Sequence, residues 1–177
     1  MITSIVITVI GPDRPGLVSA ISDQATAHGA NWADSLMANL AGQFAGIVHL
    51  QVPTRNADAL MAALRGLESP GMRIAVAKGD GGTAVKPSRR VKLDLVGQDR
   101  PGIIHSISSQ LAQRGVSIEN LQTKIASGAM SGEQMFQMHA VLHVPAGLDD
   151  DALRDGLESL ANELMVDISL DKAAGGD

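Results

Sequence analysis

The sequence predicts an α+β chain of two tandem βαββαβ units, each a four-stranded antiparallel sheet with two helices on one face. Three observations carry that prediction. GPDRPGLVSAIS at Gly11–Ser22 returns as GQDRPGIIHSIS at Gly97–Ser108, identical at seven of twelve positions and displaced by 86 residues in a chain of 177. Each copy sits between an aliphatic run and a stretch whose apolar residues recur at helical spacing. The remaining strand and helix signals then follow in the same order after each copy. A duplicated unit explains all three. Units of this size are near the lower end of what can bury a core unaided.

In the first half, Ile2–Ile10 is rich in Ile, Val and Thr and stops at Gly-Pro, which predicts a strand. Pro15 suits the first turn of a helix, where its missing N–H costs nothing. Leu17, Val18, Ile21 and Ala25 then form an apolar face that ends at His28-Gly29. Asn31–Leu40 alternates, with Trp32, Leu36 and Leu40 expected on one face. After a turn at Gly42, Phe44, Gly46, Val48, Leu50 and Val52 alternate until Pro53, which predicts a hairpin. Leu60, Leu64 and Leu67 mark a second helix, and Met72–Ala77 a last strand.

The second half repeats the order. Val91–Val96 is a strand, and Ile103, Ile104, Ile107 and Leu111 line a helix that stops near Gly115. Ser117–Ile125 and Met135–Val144 are strands, Leu153, Leu157, Leu160 and Leu164 mark a helix, and Val166–Leu170 closes the unit. Phe136 follows Phe44 by 92 residues instead of 86, so the hairpin loop SGAMSGEQ (127–134) is longer in this copy. The order in each half is ferredoxin-like. We expect domains at 1–78 and 90–172, a Gly-rich then basic linker at 79–89, and a disordered tail at 173–177.

Composition narrows the function. Net charge is −5, with 14 basic against 19 acidic residues, which argues against a direct nucleic-acid binder that neutralises phosphates. Aromatic residues make up only 2%, too few for base stacking along a single strand. Having no cysteine, the chain has neither disulfides nor zinc-thiolate sites, which fits a cytoplasmic protein. The apolar N-terminal run lacks a basic flank and is too short to span a bilayer, so no membrane role is expected.

With DRPG opening a helix in each of two βαββαβ units, the sequence resembles the ACT-domain family of amino-acid-sensing modules, over roughly Met1–Val76 and Val91–Leu170. Two such units without an attached enzyme look most like the glycine cleavage system transcriptional repressor group. The resemblance implies a small amino-acid ligand, glycine or serine foremost, near the loop between first strand and first helix, often where two units meet. It also implies a DNA-binding transcription regulator as protein partner, while the residues themselves lead us to expect no catalysis. By similarity to serine-sensing ACT units, effector contacts would fall on Asp13, Gly16 and Asn31, and on Asp99, Gly102 and Ser117. The loop residue is usually Asn in those units and is Asp in both copies here.

The chemistry of the loop admits two readings. A glycine-bearing turn at a helix N-terminus offers free N–H groups and partial positive charge to a carboxylate. Asp13 and Asp99 can meet an ammonium, Asn31 can serve either end of a zwitterion, and Arg14 and Arg100 can steer a carboxylate. Equally, Asp before a helix is a routine N-cap, Pro15 and Pro101 are ordinary first-turn residues, and each Arg can pair with its neighbouring Asp. Ser117 in place of Asn31 makes the first copy the better candidate. His139 and His143 share a strand face about 13 Å apart at ~3.3 Å per residue, too far for one metal ion. His28 is expected to cap its helix, His105 to be exposed or at an interface, and Met138 to fill the core. No cofactor motif or nucleophile–base set stands out, and no metal site is expected. The rival to the sensor is a ligand-free scaffold, and a homodimer fits either, through the open edges of the sheets.

Overall fold

The computed structural model describes residues 1–79, 88–127 and 132–172. The chain divides into two compact units, Met1–Ala84 and Val85–Asp177. In the first, strands β1 (Ile2–Pro12), β2 (Asn31–Leu40), β3 (Gln43–Pro53) and β4 (Arg73–Lys78) alternate with helices α1 (Leu17–Ala27) and α2 (Ala57–Arg65), the latter entered through a 3-10 turn at Thr54–Asn56. In the second, β5 (Ser88–Gln98), β6 (Ser117–Ser127), β7 (Gln134–Pro145) and β8 (Val166–Lys172) alternate with α3 (Ile103–Gln113) and α4 (Asp150–Leu164). Both sheets are antiparallel with matching orders, β2-β3-β1-β4 and β6-β7-β5-β8. The linker tract 80–87, the loop residues 128–131 with Met130, and the tail lie outside the described residues. Of the flanks of the expected linker, Gly79 is tied to Ser4 by a 2.9 Å N–H···O bond, and Ser88 and Arg89 already belong to β5.

Each core is the layer between sheet and helices. Ile5, Ile7 and Val9 of β1 and Val48, Leu50 and Val52 of β3 turn inward and are buried against Leu17, Ile21 and Ala25 of α1 and Leu60 and Leu64 of α2. In the second unit Leu93, Met138 and Leu142 meet Ile107, Leu111 and Leu153 in the same way. The strict alternation of β3 and β7 is the expected signature of strands with one wet face. Val18, expected on the inner face of α1, is 44% exposed. His28 ends α1 as expected, its Nδ1 lying 2.8 Å from the Gln24 carbonyl.

One expectation about β2 fails. Its pairing with β3 shifts register between Trp32 and Asp34, so Ala33 is an extra residue. A bulge of this kind reverses which face the following side chains occupy. Trp32 and Met37 therefore pack on the core, while Leu36 and Leu40 point to the open face at 62% and 80% exposure. An equivalent shift between Ile118 and Asn120 marks β6.

Lys78 at the end of β4 ties down the start of α2, its Nζ 2.9 Å from Asp58 Oδ1. That hydrogen bond, with the ammonium charge behind it, holds the Asp58 carboxyl below its ordinary value. A depressed carboxylate contributes stability above its unfolded pKa and loses it as pH falls through the folded one. We expect Lys78→Ala to raise the Asp58 midpoint in an NMR titration and to remove that acid-side dependence.

Candidate functional site

The repeated segment forms the turn from β1 into α1, and from β5 into α3. Gly16 and Gly102 are the N-caps, in the left-handed region at φ +93° and +97°. Their carbonyls start the helices, accepting from Ala20 N at 2.9 Å and Ser106 N at 3.0 Å. A β-carbon at either glycine would meet open space, so it is the dihedral that demands glycine, at a strain of ~1–2 kcal/mol for another residue. No side chain caps either helix. The N-cap reading of Asp13 and Asp99 is thereby replaced: both residues lie three positions before the cap. Pro15 and Pro101 likewise stand in the turn ahead of the helix and not in its first turn. We expect Gly16→Ala to destabilise the first unit by about 1–2 kcal/mol in urea unfolding, with Gly102→Ala matching it in the second.

Asp13 is held by the hairpin. Its N–H donates to the Gly42 carbonyl at 3.2 Å, and its carboxylate accepts from Asn39 Nδ2 at 2.5 Å. Asn39 reaches it because Pro12 and Leu40 both pair with Gln43. Asp99 shares the first contact, to the Gln134 carbonyl at 2.8 Å. The place of Asn39, opposite Phe44, is taken in the second unit by Ile125, opposite Phe136. Arg14 does not pair with Asp13. Its Nη2 turns toward the approach to β4, 3.2 Å from Ser69 Oγ and 3.8 Å from Met72 Sδ. Arg100 instead reaches a carbonyl, Glu163 O, at 3.5 Å.

Asn31 is not at this loop. It opens β2 and pairs with Gln51, which pairs with Ser4, eight residues before Pro12 along β1. That separation is about 26 Å at ~3.3 Å per residue. Ser117 stands at the corresponding far end of the second sheet, paired with His143. Within one unit, therefore, the structure brings together Asp13, Arg14, Pro15 and Gly16, with Asp99, Arg100, Pro101 and Gly102 as their counterparts, and separates Asn31 and Ser117 from them.

Beside the first loop is a cavity of about 240 Å³. Arg14, Pro15 and Gly16 form one side, Leu17 and Ile21 of α1 the floor, and Met72 with Ile74 the β4 side. An apolar recess with one guanidinium and the N-terminus of an 11-residue helix at its margin suits a carboxylate that carries a small, largely apolar body. Asn39, Ser69 and Met72 are the residues of this candidate site that the sequence did not point to. Only the cross-strand register, which fixes what stands beside Pro12, could have found the first.

The histidines take structural partners. His139 pairs with Asp94, and His143 Nε2 lies 2.9 Å from Glu119, which also binds Arg90. His105 is exposed and Met138 is buried, as expected. Among the described residues no group of three or more His, Asp or Glu gathers as metal ligands, and no helix is long and apolar enough to cross a membrane.

Residues 3–76 match the family model of the ACT domain. The match spans the first unit, from β1 into β4. The second repeats its element and strand order, so the chain carries two tandem ACT-like units. No curated protein matches the chain. A crystal structure of an unknown protein from Galdieria sulphuraria is similar over 98% of this chain and 100% of its own, at 28% identity and a TM-score of 0.85. A "putative glycine cleavage system transcriptional repressor" is similar over 99% of both chains, at 20% identity and a TM-score of 0.69, which is a likeness of fold.

Proposed function

We propose that the chain is an amino-acid-responsive regulatory protein, in which a small amino acid occupies the first-unit loop site and changes a contact with a partner protein. The observation that carries this is the recess beside Gly16, whose Arg14 guanidinium supports an α-carboxylate and whose apolar side chains support a short side chain. Glycine and serine fit a space of about 240 Å³, and the wall of Leu17, Ile21 and Met72 extends the expectation to alanine and valine. The second loop, without a counterpart of Asn39, is the weaker site.

The similarity in fold to a "putative glycine cleavage system transcriptional repressor" supports a role in transcription regulation, which we assign to protein contact with a DNA-binding regulator. The net charge of −5 supports leaving nucleic acid to that partner. We assign the chain no reaction of its own, and a cysteine-free chain suits the cytoplasm. Regulation requires the ligand to bind two states of the protein with different affinity.

Thermal unfolding against each of the twenty amino acids at millimolar concentration tests the reading. A ligand at 100 times its dissociation constant stabilises by ~2.7 kcal/mol, a shift of several degrees. A rise with one or two small amino acids is expected. A flat response across the panel overturns the sensor and leaves the scaffold, a reading that the exposed apolar sheet face of the first unit also supports.

A further inference from the structure

The two units share a fold but not an open sheet face. Across the middle of the first sheet, Leu36, Ile47, Thr8 and Ala75 lie in one cross-strand row, and Ala38, Ala45 and Ile10 in the next. The row in the second unit that matches the first of these reads Gln122, His139, Asp94 and Ser169. Lys124 and Gln137 take the places of Ala38 and Ala45, and Val96, 36% exposed, that of Ile10. An antiparallel sheet with one covered face normally solvates the other with polar side chains, as the second unit does. The second unit thus demonstrates that this fold stands with a largely polar open face. In the first unit Leu36, Leu40, Ile10 and Ile47 are 62%, 80%, 48% and 51% exposed.

We infer that this face of the first unit is the contact surface for a second copy of the chain, joined face to face about a two-fold axis. Size is the first argument. With Thr8 and the alanines, the exposed patch is on the order of 600 Å² per copy, at the top of the ~300–600 Å² of a typical monomer's largest patch and approaching the ~800 Å² of a standard interface. Shape is the second. Leu36 and Ile47 form a ridge directly beside the Ala38–Ala45 pair, and a shallow groove of about 330 Å³ is lined by Thr8, Leu36, Ala38, Ala45 and Ile47. A two-fold axis sets the ridge of one copy against the alanine pair of the other, as an isologous contact requires. Charge is the third. The charged side chains Asp34 and Arg73 stand at the margins, with Gln43 and His49, which gives an apolar centre and a polar rim. A surface so free of charge at its centre is matched by its own copy.

Sedimentation equilibrium of the full chain, between micromolar and millimolar concentration, tests this. The wild type is expected to move between 18.4 kDa and twice that mass. Ile47→Lys, which buries an unpaired ammonium at the centre, should raise the dimer dissociation constant at least ~100-fold. Gln122→Lys, at the matching place on the second unit, should leave it unchanged. Should Ile47→Lys fail to fold by circular dichroism, Leu36→Glu provides the same reading at an exposed position. A wild type that stays monomeric throughout overturns the inference, and assigns the face to a different protein. A dimer that survives folded Ile47→Lys or Leu36→Glu overturns it too, and moves the contact elsewhere.

Discussion

An Arg14→Ala variant is expected to keep the fold of the first unit and to lose about 10–100-fold in affinity for its amino acid. The two effects separate because Arg14 is exposed and contributes little to folding. Its bonds, to Ser69 Oγ at 3.2 Å and to Met72 Sδ at 3.8 Å, are of the kind worth about 1 kcal/mol or less. A charge-assisted bond to a carboxylate in a recess is worth about 1.5–3 kcal/mol. Titration calorimetry with the amino acid found in the unfolding panel gives the number. Arg100→Ala is the control, since Arg100 is turned onto the Glu163 carbonyl. Undiminished affinity in Arg14→Ala with a loss in Arg100→Ala would transfer the site to the second unit.

Gly97→Ala is expected to destabilise the second unit by about 2–3 kcal/mol, far more than an exposed strand substitution. Gly97 pairs with Val166 across β5 and β8. A β-carbon there would come within 2.4 Å of Val166 Cγ1 and 3.1 Å of its Cα. Val166 is 8% exposed and has little room to yield, so the strands must part. Gly11→Ala meets a milder version, with Met72 Cα at 3.0 Å, and should cost less. Trp32, the single tryptophan, packs on the core of the first unit and gives its unfolding by fluorescence. The Gly97→Ala loss should therefore appear in far-ultraviolet circular dichroism and leave the Trp32 transition in place. Equal stability of Gly97→Ala and wild type would contradict the close approach of β8.

These two variants show how far the repeated segment could be read. Its recurrence made the duplication plain, with glycine at the same two places in both copies. Those two places take glycine for different reasons. Gly11 and Gly97 lie where Met72 and Val166 press close, whereas Gly16 and Gly102 hold a positive φ with open space around them. A one-dimensional pattern records that a β-carbon is excluded without recording what excludes it. The acidic residue was similarly ambiguous: Asp13 has the look of a helix cap and is instead the acceptor of Asn39, 26 residues along.

By itself the sequence determined the two βαββαβ units, the inward faces of β3 and β7, and the helix faces around Ile21, Leu60, Ile107 and Leu157. Those follow from local periodicity, because burial on one side imposes a repeat of 2 on a strand and 3.6 on a helix. Only the tertiary structure decided what meets the loop. Register carried Asn39 to Asp13 and left Asn31 at the opposite end of the sheet. The approach to β4 set Ser69 and Met72 against Arg14. One extra residue at Ala33 turned Leu36 and Leu40 outward, onto the face where a second copy is inferred to dock. These outcomes depend on hydrogen bonding between strands far apart in the chain, and a shift of one residue reverses them while leaving the apolar pattern of the sequence untouched.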